Sequence, residues 1–303
     1  MARISIVHTT EYRYRNPVGL GRHRMMLRPR DSHDLRLHDA RLDIDPAPSV
    51  ERWAHDVFGN SLCLIEWPET VRTELLRIVS CLDLTHFPAC PDLPVPTLDP
   101  AAEIVPFSYA AHEVPDLARL TERHLPDPER TVDKWARRFV AGEGEVRTLR
   151  MLEAMTHAIK ADFTYEARYE EGTRTPAETL RLGSGTCRDF AVLMMEALRS
   201  LGLAAKFVTG YLYDDTFRSN QGGGSTHAWC SVYLPGAGWV EYDPTNGLIA
   251  GADLVRVGMT RAAEQAVPIG GGYVGSADDT LGLHVDVTVT AAPIDAYARP
   301  FAG

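Results

Sequence analysis

A chain of 303 residues has the length of about two domains, and its 45% hydrophobic content is ordinary for a globular protein. The formal net charge of −10 argues against non-specific nucleic-acid binding. No apolar run approaches the roughly 20 residues that span a bilayer, so no membrane partner is expected.

The chain opens Met1-Ala2-Arg3-Ile4-Ser5-Ile6-Val7-His8, which alternates like a strand and lacks a signal-peptide apolar core. A cytoplasmic location is expected if residue 1 is the true start. The alternation continues through Thr10, Tyr12 and Tyr14, and further strands are predicted at 25–27, 35–44, 50–54, 61–67 and 75–84. Gly59-Asn60 is a tight-turn signal between two of them. Residues 1–86 therefore read as an antiparallel, sandwich-like β-domain. Residues 1–41 hold nine arginines against four acidic residues, expected as a solvated basic face. His33 and His38, with Asp31, Asp34 and Asp39, place no ligand triplet on one face, so no metal is expected there. Six prolines from Pro88 to Pro106 mark residues 87–107 as an extended linker or strap.

Helices are predicted next, over 116–124 and 131–140, with a longer one marked by Val146, Leu149, Leu152, Met155 and Ile159. Phe163-Thr164-Tyr165 reads as extended. Thr175-Pro176-Ala177-Glu178 is a capping box with proline at the first helical position. Gly183-Ser184-Gly185-Thr186 then leads to Cys187-Arg188-Asp189-Phe190 and an apolar-periodic run to Gly202. Thr186 suits the N-cap and Asp189 the position three later, with Asp in the usual Glu place. Cys187 falls in the first turn, where unpaired N–H groups and the helix dipole favour a thiolate. Taken alone it is equally a small buried thiol.

After a strand over 205–213, the loop Asp214 to Ser225 carries Gly222-Gly223-Gly224, read as a flap or a connection without a role. Thr226–Tyr233, the turn at Pro235–Gly238 and Trp239–Thr245 form a hairpin. A pairing sum of 470 to 472 sets His227 and Asp243 opposite or diagonal on one face. Cys187, His227 and Asp243 then satisfy the logic of an activated nucleophile, a base and an orienting carboxylate. Asp243-Pro244-Thr245-Asn246-Gly247 is also a turn signal, which leaves Asp243 a capping alternative. Cys230 has opposite parity to His227 and should face the core, so no Cys187–Cys230 disulfide is expected. The five cysteines are expected as thiols. The Ala/Gly-rich 251–303 ends in a strand over 283–289, returning either to the core sheet or to the N-terminal domain.

Gly185-Thr186-Cys187-Arg188-Asp189-Phe190-Ala191, Gly210-Tyr211, Thr226-His227-Ala228-Trp229 and Trp239-Val240-Glu241-Tyr242-Asp243-Pro244-Thr245 resemble, in order, the bacterial transglutaminase-like superfamily. The start of the chain resembles the β-rich N-terminal region that precedes this core in many bacterial members. The resemblance implies an α+β fold: a papain-like core with the cysteine on a helix packed against an antiparallel sheet, here within 108–303. It also implies acyl transfer through a cysteine thioester, with Cys187 as nucleophile, His227 as base and Asp243 as its orienter. Members include peptidases, amidases and cross-linking enzymes. Hydrolysis of peptide or protein amides is the expected activity. Amide transfer to an amine and a non-catalytic peptide-binding groove are the alternatives. The Cys187 backbone N–H is one expected oxyanion donor and Tyr165 a candidate second. The chemistry requires no cofactor. Oligomeric state is left open.

Overall fold

The computed structural model describes residues 2–87, 97–142, 144–168, 172–213, 226–249, 251 and 253–293. The expected flap, Asp214 to Ser225, lies outside them, as do Cys90 and most of the prolines of the linker.

Strand β1 (Ala2–Leu20) is the spine of the N-terminal half. Its even-numbered residues Ile4, Ile6, His8 and Thr10 are buried, as the period of two demands. The expected short strands appear as β2 (His23–Met25), β3 (Leu35–Asp45), β4 (Val50–His55), β5 (Ser61–Glu66) and β6 (Thr73–His86). One sheet runs β1-β6-β3 and the other β2-β5-β4, enclosing Met25, Leu27, Ile65, Leu76 and Ile78.

The second half places helices α1 (Val114–Thr121), α2 (Thr131–Arg137), α3 (Thr148–Asp162), α4 (Pro176–Leu182) and α5 (Cys187–Ser200) around an antiparallel sheet. The sheet strands are β7 (Ala205–Leu212), β8 (Thr226–Leu234), β9 (Gly238–Asp243) and β10 (Leu254–Thr260), in the order β9-β8-β7-β10 with Leu248–Ile249 at the β9 edge. Helix α1 begins two residues earlier than predicted because Pro115 suits its first turn. Every residue of α5 from Asp189 to Arg199 is buried, so this is the central helix. Its buried Glu196 accepts from Arg123, Arg199 and the backbone N–H groups of His124 and Leu125, as an interior charge requires. No helix among the described residues is long and apolar enough to cross a membrane.

The C-terminal segment takes the second of its two expected routes. Strand β11 (Thr280–Pro293) pairs antiparallel with β1, from Ala2↔Pro293 to Tyr14↔Thr280. The range 108–303 is thus not one structural unit, because its last strand covers the otherwise open edge of β1. The halves share an apolar cluster in which Tyr211, Val255 and Val257 meet Ile4, Ile6 and Leu84. Asn60 bridges them as well, accepting from the Met259 N–H at 2.9 Å and donating to its carbonyl at 2.8 Å. Buried His8 hydrogen-bonds the Tyr211 hydroxyl at 3.0 Å through Nδ1 and Thr10 at 3.1 Å through Nε2.

Burial pushes the His8 imidazole from 6.5 down to about 4, against the pull of Asp286. A depressed pKa contributes stability that is complete above 6.5 and lost as pH falls through about 4. His8→Gln should therefore lose less stability than wild type between about pH 7 and about pH 4, by up to about 3 kcal/mol in urea titrations. Equal losses in the two proteins would contradict this assignment.

Candidate active site

The cysteine loop is built around Asp189. Its Oδ2 accepts from the Thr186 N–H at 2.9 Å while Thr186 Oγ1 accepts from the Asp189 N–H at 3.3 Å, a complete capping box. Its Oδ1 accepts from the Arg174 N–H at 2.7 Å and from Arg168 Nη2 at 3.1 Å. The carboxylate is fully buried, so one side chain ties the segments before α4 to the start of α5. Local spacing announces the cap but not the two arginine partners, which lie 21 and 15 positions upstream. Gly185 lies in the bend because a Cβ there would stand 2.9 Å from the Asp189 Cβ.

Gly185 pairs in parallel with Tyr165 and Ser184 with Thr164, which sets Tyr165 beside the loop. Burial, then the negative charges of Cys187 and Asp189, push its phenol up to about 12. The hydroxyl therefore keeps its proton at neutral pH and is able to donate it in a hydrogen bond. Cys187 is half-buried at the first position of α5. Its backbone N–H is among those a helix start leaves without an intrahelical partner.

His227 and Asp243 come from the hairpin. The register Cys230↔Tyr242 and Ser231↔Glu241 sets them on one diagonal, and His227 Nε2 lies 2.9 Å from Asp243 Oδ2. The carboxylate requires a proton on Nε2, and Cys187 stands near enough to the ring to influence its titration. Desolvation opposes the imidazolium, but the Asp243 charge, its hydrogen bond and Cys187 outweigh it and push His227 up to about 10. Asp243 titrates below its ordinary range: burial alone would raise it, and His227 with Asn246 more than compensates.

The capping alternative for Asp243 turns out to coexist with the pairing. Oδ1 accepts from the backbone of Thr245 at 2.9 Å and Asn246 at 3.3 Å, while Oδ2 receives both His227 and Asn246 Nδ2, the latter at 2.7 Å. Asn246 lies in the Asp243–Gly247 turn signal, but nothing in that signal announces its side chain as a donor to Asp243. Cys230 is fully buried and its thiol pushed up to about 12 by burial, in keeping with its parity. Cys63, Cys81, Cys187 and Cys230 are free thiols. Among the described residues no group of three or more His, Cys, Asp or Glu side chains could hold a metal ion. His38 instead bonds Thr85 and Asp39 pairs with Arg41.

Asp243→Asn removes the charge that holds His227 protonated while keeping an oxygen for the turn. Its His227 pKa should fall, and Cys187 alkylation by iodoacetamide at mildly acidic pH should slow. Superimposable alkylation–pH curves for the two proteins would leave Asp243 only its turn.

Comparison with known proteins agrees with this architecture. Residues 4–83 match the bacterial transglutaminase-like N-terminal region and residues 133–244 the transglutaminase-like superfamily. The uncharacterized protein Rv2569c of Mycobacterium tuberculosis is 31% identical over 306 residues, covering 98% of this chain and 94% of its own. A Mycobacterium leprae protein, ML0607, is 34% identical over 106 residues, covering 34% of this chain and 37% of its own. The crystal structure of a "Putative Cysteine Protease" from Cytophaga hutchinsonii shares the fold with a TM-score of 0.66 at 19% identity, covering 97% of this chain and 93% of that one. The chain belongs to the transglutaminase-like superfamily, with the bacterial N-terminal region ahead of the core.

Proposed function

We propose that this protein is a cysteine-dependent amidase or peptidase that opens amide bonds of peptides or proteins through a thioester on Cys187. The observation that carries the reading is the His227 imidazole hydrogen-bonded to Asp243 at 2.9 Å and, against its burial, pushed up to about 10 by Asp243 and Cys187. Such a ring takes the thiol proton, so the reacting pair is thiolate and imidazolium. Cys187 Sγ attacks the amide carbonyl, and negative charge moves to its oxygen. The Cys187 backbone N–H and the Tyr165 hydroxyl donate to that oxygen. As the C–N bond breaks, His227 returns the proton to the leaving amine. Water then gives a proton to His227 and attacks the thioester, releasing a carboxylic acid and restoring the thiolate–imidazolium pair. Asp243 keeps the ring in its tautomer and stabilises its charged form.

We propose hydrolysis rather than transfer to an amine: Thr164 and Glu166 are exposed beside the cysteine loop, as are Leu248 and Ile249 beside Asp243, so water reaches the rim of the site although His227 and Asp243 are themselves buried.

Intact-mass measurement after mixing with activated acyl esters, with and without added amine, tests both steps. Wild type should gain one acyl group and lose it to water at a rate the amine barely changes. Tyr165→Phe should slow acylation by about tenfold to a hundredfold. It should leave iodoacetamide alkylation unchanged, because alkylation creates no oxyanion. Cys187→Ala should abolish both reactions. Persistent acylation of Cys187→Ala would sink the nucleophile, and an amine adduct as the main product would assign the protein to transfer.

A further inference from the structure

Beneath His227 lies a second rung of the same hairpin. Trp229 stands two residues along β8 and Glu241 two residues back along β9, so the pair repeats the diagonal of His227 and Asp243. The Trp229 ring is fully buried and stacked under the imidazole, with centroids 6.0 Å apart and planes 28° apart. Its Nε1–H donates to Glu241 Oε2 at 2.6 Å. Glu241 Oε1 accepts from Arg256 Nη1 on β10. Arg256 Nη2 in turn donates to Asp34 at 3.0 and 3.2 Å, just ahead of β3 in the N-terminal half.

A glycine makes room for this arrangement. Gly210 on β7 pairs with His227 on one side and with Arg256 on the other. A Cβ at Gly210 would stand 2.8 Å from the Trp229 ring and 2.1 Å from the Val255 carbonyl oxygen. Any side chain there would displace the indole from beneath the histidine.

We propose that Asp34 is a positioning residue for His227, acting through Arg256, Glu241 and Trp229, so that the N-terminal sheets set the orientation of the reacting imidazole without contributing to the triad. Glu241 is held by two donors at once, one from the indole and one from Arg256, and its carboxylate plane follows both. Releasing Arg256 from Asp34 frees Glu241 to swing with it, and the indole loses its fixed tilt against the imidazole. The inference rests on the reading of Cys187 and His227 as the reacting pair. A contact serving only to glue the halves together would change stability and leave the histidine as it was.

The test is a proton NMR comparison of the full chain, reading the downfield signal of the His227 Nε2–H bonded to Asp243, together with iodoacetamide alkylation of Cys187. Asp34→Asn is partly exposed and should fold. It should move or broaden the His227 signal and slow alkylation by about three- to tenfold. Trp229→Phe, which keeps a ring but removes the donor, should shift the same signal from the other end of the chain of contacts. A His227 signal and an alkylation rate in Asp34→Asn that both superimpose on wild type would overturn the proposal. The two readings fail separately. Wild-type alkylation with no preference for Cys187 would reject the reacting pair, while the NMR comparison would still decide whether Asp34 reaches His227.

Discussion

The register of one hairpin governs the site. With Cys230 opposite Tyr242, His227 and Asp243 share a diagonal on one face, and Trp229 and Glu241 share the next. A slip of one residue would send these side chains to the opposite face and bring Cys230 out of the core. The tight turn at Pro235–Gly238 enforces the pairing, with Gly236 and Gly238 both at positive φ. So the hydrogen bond between imidazole and carboxylate is a consequence of strand pairing, and the same pairing brings close the Asp243 charge that raises the His227 pKa against burial.

The cysteine arrives by a different route. Helix α5 is buried along almost its whole length, and its register against the sheet is set by packing around Phe190, Leu193, Met194 and Ala197. Its interior charges are matched one by one: Asp189 at the N-terminal end takes backbone and arginine donors, and Glu196 takes two arginines and two backbone groups. Losing one partner of such a buried pair costs about 3–5 kcal/mol, because the remaining charge is left uncompensated. The buried helix thus brings Cys187 to the hairpin side of the core, and Cys187 and His227 are both carried by regular elements rather than by loops.

Much of this was legible in the chain. The capping boxes at Thr175 and Thr186, the parity of His227 against Cys230 and the hairpin turn all depend on local spacing, which sequence carries directly. The long-range partners were not legible. Nothing near Asp189 announces Arg168, and nothing near Glu241 announces Arg256 or Asp34, because those contacts are made by the packing of separate elements. The last strand illustrates the same limit: the alternation at 283–289 is plain, but its pairing with β1 depends on which sheet edge is open. Asp243 offered two readings, and its two oxygens satisfy both.

The charge on His227 is where these constraints meet. Nitrogen-15 NMR titration of labelled imidazoles reads it directly, with Cys187→Ala as the reference. The account requires wild-type His227 to stay protonated through neutral pH and to titrate near 10, and the Cys187→Ala protein to titrate lower, because part of the stabilisation comes from Cys187. A wild-type His227 that loses its proton near its ordinary 6.5 would contradict the thiolate–imidazolium pair.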